Sequence, residues 1–154
     1  MQARTNSRLA AVQALYQMEA SGVGVESVIV EFRTHRLGGD IEGRLLHDAD
    51  EAFFMELLRG VIRLQTKIDR LIEKRLAKSW TLARLDSTAR AILRAAAYEL
   101  VHRADIPARA IINEYIEIAN AFFGDEDPRF ISAVLDAMAR DLRAEELTGG
   151  NDRS

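Results

Sequence analysis

The stretch Asp86-Ser87-Thr88-Ala89-Arg90-Ala91-Ile92-Leu93-Arg94-Ala95-Ala96-Ala97-Tyr98-Glu99-Leu100 decides the fold class. Asp86 can accept from the free N–H groups of a first helical turn. Ile92, Leu93, Ala96 and Leu100 then recur at helical spacing and form a buried side. Working outward, Asp105 with Pro107 opens a second helix, because a proline in the first turn lacks only an N–H that had no partner. Its stripe is Ile112, Tyr115, Ile116, Ala119, Phe122 and Phe123, and Gly124 suits a left-handed stop. Asp127-Pro128 repeats the start, followed by Ile131, Val134, Leu135, Met138 and Leu142.

Upstream, Thr66-Lys67-Ile68-Asp69 reads as a capping box that starts a short helix carrying Ile68, Leu71 and Ile72. Before it lie stripes of Phe54, Leu57, Leu58, Val61 and Ile62, of Val25, Val28, Ile29 and Phe32, and of Leu9, Val12 and Tyr16. Gly22 and Gly24 end the first stripe, and Gly38-Gly39 marks a loop. Two prolines, nine glycines and no alternating runs leave no room for a sheet. The expectation is an all-α chain of about seven helices. Residues 1–147 are read as one helical domain and 148–154 as a flexible tail.

At 154 residues the chain suits about one compact unit, and 48% apolar with 29% charged residues argues against disorder. Cysteine is absent, which excludes disulfides, thiol catalysis and thiolate metal sites. No apolar run approaches the roughly 18 residues of a membrane span. The first eight residues hold no apolar signal-peptide core, so the expected location is cytoplasmic. The net charge of −3 conceals a strong asymmetry. Residues 59–94 balance to +7, the first 18 residues to +2, and residues 110–128 to −5. Such asymmetry allows an anionic partner on one face.

Catalytic motifs are missing: there is no His-Glu-x-x-His, Walker loop, Gly-x-Gly-x-x-Gly or Gly-x-Ser-x-Gly. Glu99 and His102 have the spacing of a di-iron carboxylate half-site, but such sites need two such pairs and two more glutamates. No enzyme, metal or cofactor is expected. Arg59, Arg63, Lys67, Arg70, Lys74 and Lys78 recur at steps of three or four, and a solvated face is their simplest account. Arg4 and Arg8, four apart, can point from one side of the first helix at a phosphate backbone, and their joint loss should leave melting almost unchanged.

Ala11-Val12-Gln13-Ala14-Leu15-Tyr16-Gln17 behind a basic N-terminus resembles the start of the bacterial antitermination factors of the NusB family. The resemblance continues through Leu85-Asp86, Ala91-Ile92-Leu93-Arg94, Tyr98-Glu99-Leu100, Asp105-Ile106-Pro107 and Ile112-Asn113-Glu114. It closes with Phe123-Gly124-Asp125-Glu126-Asp127-Pro128-Arg129-Phe130-Ile131-Ser132-Ala133-Val134-Leu135-Asp136. It spans residues 4–142, with 20–52 matching weakly.

The resemblance implies two packed helical bundles without enzymatic activity. It implies pairing with NusE, a small-subunit ribosomal protein, and binding of single-stranded boxA RNA from ribosomal RNA operons. NusA, NusG and RNA polymerase would complete the antitermination complex, and some members form homodimers. Arg4 and Arg8 occupy the family's arginine-rich arm, and Arg129 and Phe130 occupy its Lys-Phe pair. Phe130 then becomes a base-stacking candidate and Arg129 a phosphate contact. Arg75 lies near another RNA-facing position of the family, and Leu85, Asp86 and Arg90 border the protein partner.

Structural accounts compete at several of these positions. Phe130 lies one residue from the buried stripe and could simply pack. Gln13 and Tyr16 are read as structural, and Tyr98, Glu99, Asn113 and Glu114 as a hydrogen-bonded cluster joining two long helices. Thr5 and Asn6 interrupt the arm, Ser132-Ala133 replaces the family's Asn-Gly, and Ala89 stands where many members carry an acid. Two other readings stay open: an RNA-binding domain of the kind fused to ribosomal RNA methyltransferases, and a self-associating helical scaffold.

Overall fold

The computed structural model describes residues 2–35, 49–76, 81–124 and 129–146. Seven α-helices occur among them: α1 (Gln2–Ser21), α2 (Val25–His35), α3 (Glu51–Arg63), α4 (Gln65–Glu73), α5 (Ser87–His102), α6 (Ala108–Phe123) and α7 (Arg129–Leu142). A 3-10 turn, Leu82–Arg84, precedes α5, and the described residues contain no strand. The all-α expectation therefore holds. The chain divides into two compact units, residues 1–65 and 66–154. Gly38-Gly39, Lys78, the Asp127-Pro128 start and the tail from 148 lie outside the described residues.

In the first unit α1 packs on α3 and α2, and α2 on α3. The face that α1 buries is mostly small: Ser7, Ala10, Ala11 and Ala14, with Val12 and Leu15. The expected stripe is corrected here, since Tyr16 is 46% exposed and Leu9 is half-buried. Alanine carries a weak periodic signal yet lets neighbouring helices approach closely. Phe32 and Phe54 stack at 5.5 Å in this core. Ser21 ends α1, and the Gly22 N–H, at a φ of 75°, bonds to Met18 O. Ile62 turns outward while Phe53 is buried in its place.

The second unit is built around α5, which packs on both α6 and α7. Every residue from Ala89 to Leu100 except Arg94 is buried, as a helix apolar nearly all round requires. Asp86 caps it as expected, accepting from Thr88 N at 2.9 Å and Ala89 N at 3.2 Å. Ile68 and Ile72 of α4 are buried, but the capping box does not form as read. The helix already begins at Gln65, and both Asp69 oxygens accept from Arg94 of α5, at 2.9 and 3.0 Å. On α6, Ile111 and Ile118 are buried, whereas Phe122 is exposed.

The start of α6 also differs. Asp105 receives two bonds from Arg103, and Pro107 is itself the cap residue without a side-chain bond. The Ala108 N–H instead donates to Glu146 Oε1 at 2.6 Å. Arg143, beside it, is buried and donates to the carbonyls of Glu99, Leu100, Arg103 and Ile106, and to Glu146. One guanidinium thus gathers carbonyls from the last turn of α5 and from the loop that follows it. Gly124, at a φ of 58°, stops α6 with its N–H on Asn120 O.

Candidate nucleic-acid interface

In the first unit the beginning of α1 is tied to the N-cap of α3. Asp50 has extended backbone dihedrals, and its carboxylate accepts from Phe53 N at 3.0 Å. Its own N–H donates to Ala3 O at 3.2 Å. The Ser7 hydroxyl lies 2.6 Å from Asp50 O and 3.0 Å from Ala3 O. That turn brings the Phe53 ring beneath both arm arginines, whose guanidinium carbons stand 5.2 Å (Arg4) and 5.1 Å (Arg8) from its centroid. Both distances lie within cation–π range. Arg4 is half-buried, but Arg8 is only 5% exposed. Removal of Arg8 without effect on melting does not survive that burial.

In the second unit a groove of about 500 Å³ is lined by Arg75, Leu76, Arg84, Leu85, Asp86, Phe130, Ala133 and Val134. It brings together four residues singled out from sequence: Arg75, Leu85, Asp86 and Phe130. Arg75 is held from two sides. It forms an ion pair with Asp141 at 2.6 Å and donates to Leu71 O at 3.0 Å. Phe130 is the second residue of α7 and is 44% exposed, so its ring does not belong to the core. Arg129 beside it is also exposed. Arg84, Leu76, Ala133 and Val134 were not anticipated as lining. Val134 reads as core from its spacing, and nothing local marks the other three.

Arg90 is placed differently from the sequence reading. It is buried, and its Nη1 lies 2.6 Å from Leu85 O, 3.1 Å from Leu82 O and 3.3 Å from Ala83 O. It holds the segment that carries Leu85 and Asp86 from below and does not line the groove. The Glu73 carboxylate accepts from Leu82 N at 3.2 Å and fixes the same segment. The apolar floor is thus presented on a braced loop with basic side chains at its margin.

The basic row does not run as one face, because Leu64 interrupts the helices and Arg59 forms a two-toothed pair with Glu26. That hydrogen-bonded pair lowers the Glu26 pKa and raises that of Arg59. The expected polar cluster is also redrawn. Glu99 is fully buried and accepts from Tyr115 Oη at 2.5 Å, while Tyr98 stacks on His102 at 5.0 Å. Asn113 is exposed and Glu114 half-buried. Tyr115, read only as stripe, is a hydrogen-bond partner of Glu99. Among the described residues no helix is long and apolar enough to cross a membrane.

The comparisons with known proteins agree with this architecture. The NusB family model matches residues 5–140. The transcription antitermination protein NusB of Caulobacter vibrioides is 58% identical over 143 residues, covering 93% of this chain and 96% of that protein. The protein of the same name from Rhodopseudomonas palustris is 49% identical over 147 residues, with 96% and 87% covered. Among solved structures, T. maritima NusB superposes with a TM-score of 0.74 at 31% identity, covering 89% of this chain and 90% of that one. A chain in a crystal structure of antitermination factors NusB and NusE with dsRNA shares the fold, at a TM-score of 0.70 and 20% identity over 92% and 98%. With the family model spanning most of the chain and relatives this similar over nearly their whole length, the chain belongs to the NusB family.

Proposed function

We propose that this chain is a non-catalytic transcription antitermination factor of the cytoplasm that pairs with NusE and binds boxA RNA. The observation that carries the reading is Phe130, a ring 44% exposed at the start of α7 beside exposed Arg129. Single-stranded RNA offers unstacked bases, and an exposed aromatic next to a cation suits stacking with a phosphate contact. Arg75 and Arg4 supply further positive charge to the RNA. Arg8 and Arg90 support the same surfaces from within. Leu85 and Asp86, on the loop braced by Arg90, face NusE. NusA, NusG and RNA polymerase complete the assembly that reads through terminators in ribosomal RNA operons.

Fluorescence anisotropy of a labelled boxA RNA against a scrambled RNA tests this, with the protein alone and with equimolar NusE. A boxA-preferring, salt-sensitive signal that tightens with NusE is the expected outcome. Equal binding of both RNAs, unchanged by NusE, overturns the proposed function and leaves the fold and family untouched.

A further inference from the structure

We infer that the α3 N-cap turn, Asp50 to Phe53, is a positioning device that holds Arg4 ready for a phosphate of the RNA. The inference rests on the RNA-binding reading above and assigns a role to an uncharged, buried residue. Phe53 is 3% exposed, so its ring touches no RNA. Its backbone is fixed by the Asp50 carboxylate, and Asp50 is fixed in turn to Ala3 and Ser7. Three polar ties thus bind the ring and the arm into one piece of structure.

Arg4 is the element of this piece that reaches toward solvent. Its guanidinium carbon stands over the ring at 5.2 Å, and among the described residues no carboxylate pairs with it. A guanidinium held over a ring through its face keeps its planar N–H edge for an anion. An arginine already held in this way loses less side-chain freedom when it meets a phosphate. Arg8 stands over the same ring at 5.1 Å and is buried, so it backs the ring from within while Arg4 faces the anion. The ligand chemistry is therefore a single phosphodiester group at the arm.

The test measures boxA RNA affinity of the full chain with NusE over a series of salt concentrations, for wild type, Arg4→Ala, Phe53→Leu, Phe53→Tyr and the double variant Arg4→Ala/Phe53→Leu. Loss of one phosphate contact to single-stranded RNA lowers the slope of log K against log salt by about 0.7. Arg4→Ala should show that fall. Phe53→Leu, which removes no charge, should show the same fall, and the double variant should be no weaker than Arg4→Ala. Phe53→Tyr, which keeps a π face, should retain the wild-type slope.

A merely structural ring would alter melting and leave the slope alone. A wild-type slope in folded Phe53→Leu, with a reduced slope in Arg4→Ala, overturns the positioning role. Should Phe53→Leu not fold, Ser7→Ala takes its place: it cuts a tie of the arm to Asp50 and should lower the slope in part, and an unchanged slope overturns the inference. Arg4→Ala that matches wild type removes the phosphate contact while the RNA reading stands. A wild-type chain without boxA preference instead removes that reading, and the inference with it.

Discussion

Arg143→Met should cost the second unit about 3 kcal/mol, although Arg143 is not itself one of the proposed contacts. Methionine keeps an unbranched apolar stem and removes every donor. Arg143 Nε donates to Leu100 O at 2.8 Å and Nη1 to Ile106 O at 3.1 Å, both buried. Nη2 serves Arg103 O at 2.8 Å and Glu99 O at 3.4 Å, and Nη1 also meets Glu146 Oε2 at 2.5 Å. Hydrogen bonds to a charged group contribute about 1.5–3 kcal/mol each, and water can replace the partners at the open side. Counting only the bonds to Leu100 O and Ile106 O at the lower figure gives about 3 kcal/mol. For a chain of this size that loss lowers melting by roughly 10 °C. Urea titration followed by circular dichroism reads it directly. A loss below about 1 kcal/mol refutes the account, because the carbonyls at the end of α5 would then not depend on this side chain.

Further predictions follow from the same geometry. Phe130→Ala should weaken boxA RNA binding by about 1–3 kcal/mol in an anisotropy titration, and a large melting loss with unchanged affinity would return the ring to a packing role. Arg90→Met should lower NusE affinity, measured by calorimetry, although Arg90 is buried, because the loop carrying Leu85 and Asp86 loses its brace; unchanged affinity contradicts that brace. Burial pushes the Glu146 carboxyl up, but the Ala108 N–H and the Arg143 guanidinium outweigh it and hold its pKa below the ordinary 4.5. Its contribution is then fully present above about pH 4.5 and is lost as pH falls through the lower folded value. Glu146→Gln should accordingly melt below wild type at pH 7, with the gap closing in acid; a gap independent of pH refutes the assignment.

The helices of the second unit were the most legible part of the sequence. Ile92, Leu93, Leu100, Ile131, Leu135 and Met138 are bulky, recur at helical spacing and are all buried, and Asp86 caps from an adjacent position. The reading weakened where burial falls on small side chains, as at Ala10, Ala11 and Ala14, and so Tyr16 was assigned inward. It failed where a partner comes from afar. Asp105 looked like the cap of α6, while the acid that bonds Ala108 N lies 38 residues onward. Nothing in local spacing announces such a cap. Of the candidate site, residue chemistry alone pointed to Arg4 and Arg8, and resemblance supplied Phe130, Arg129 and the groove loop. Burial separated these: charge gives no sign that Arg8 and Arg90 are interior, because only the tertiary fold provides their ring and carbonyl partners.

The long reach of Arg143 and Glu146 also orders events during synthesis. Domains form from the N-terminus as the ribosome proceeds. The core of the first unit is present once residue 65 has emerged. The corner between α5 and α6 must wait until residues 143–146 follow, some 40 positions after the carbonyls they satisfy. A nascent chain halted between those points would carry a folded front half and an open, unlatched rear, a clear target for chaperones and quality-control proteases.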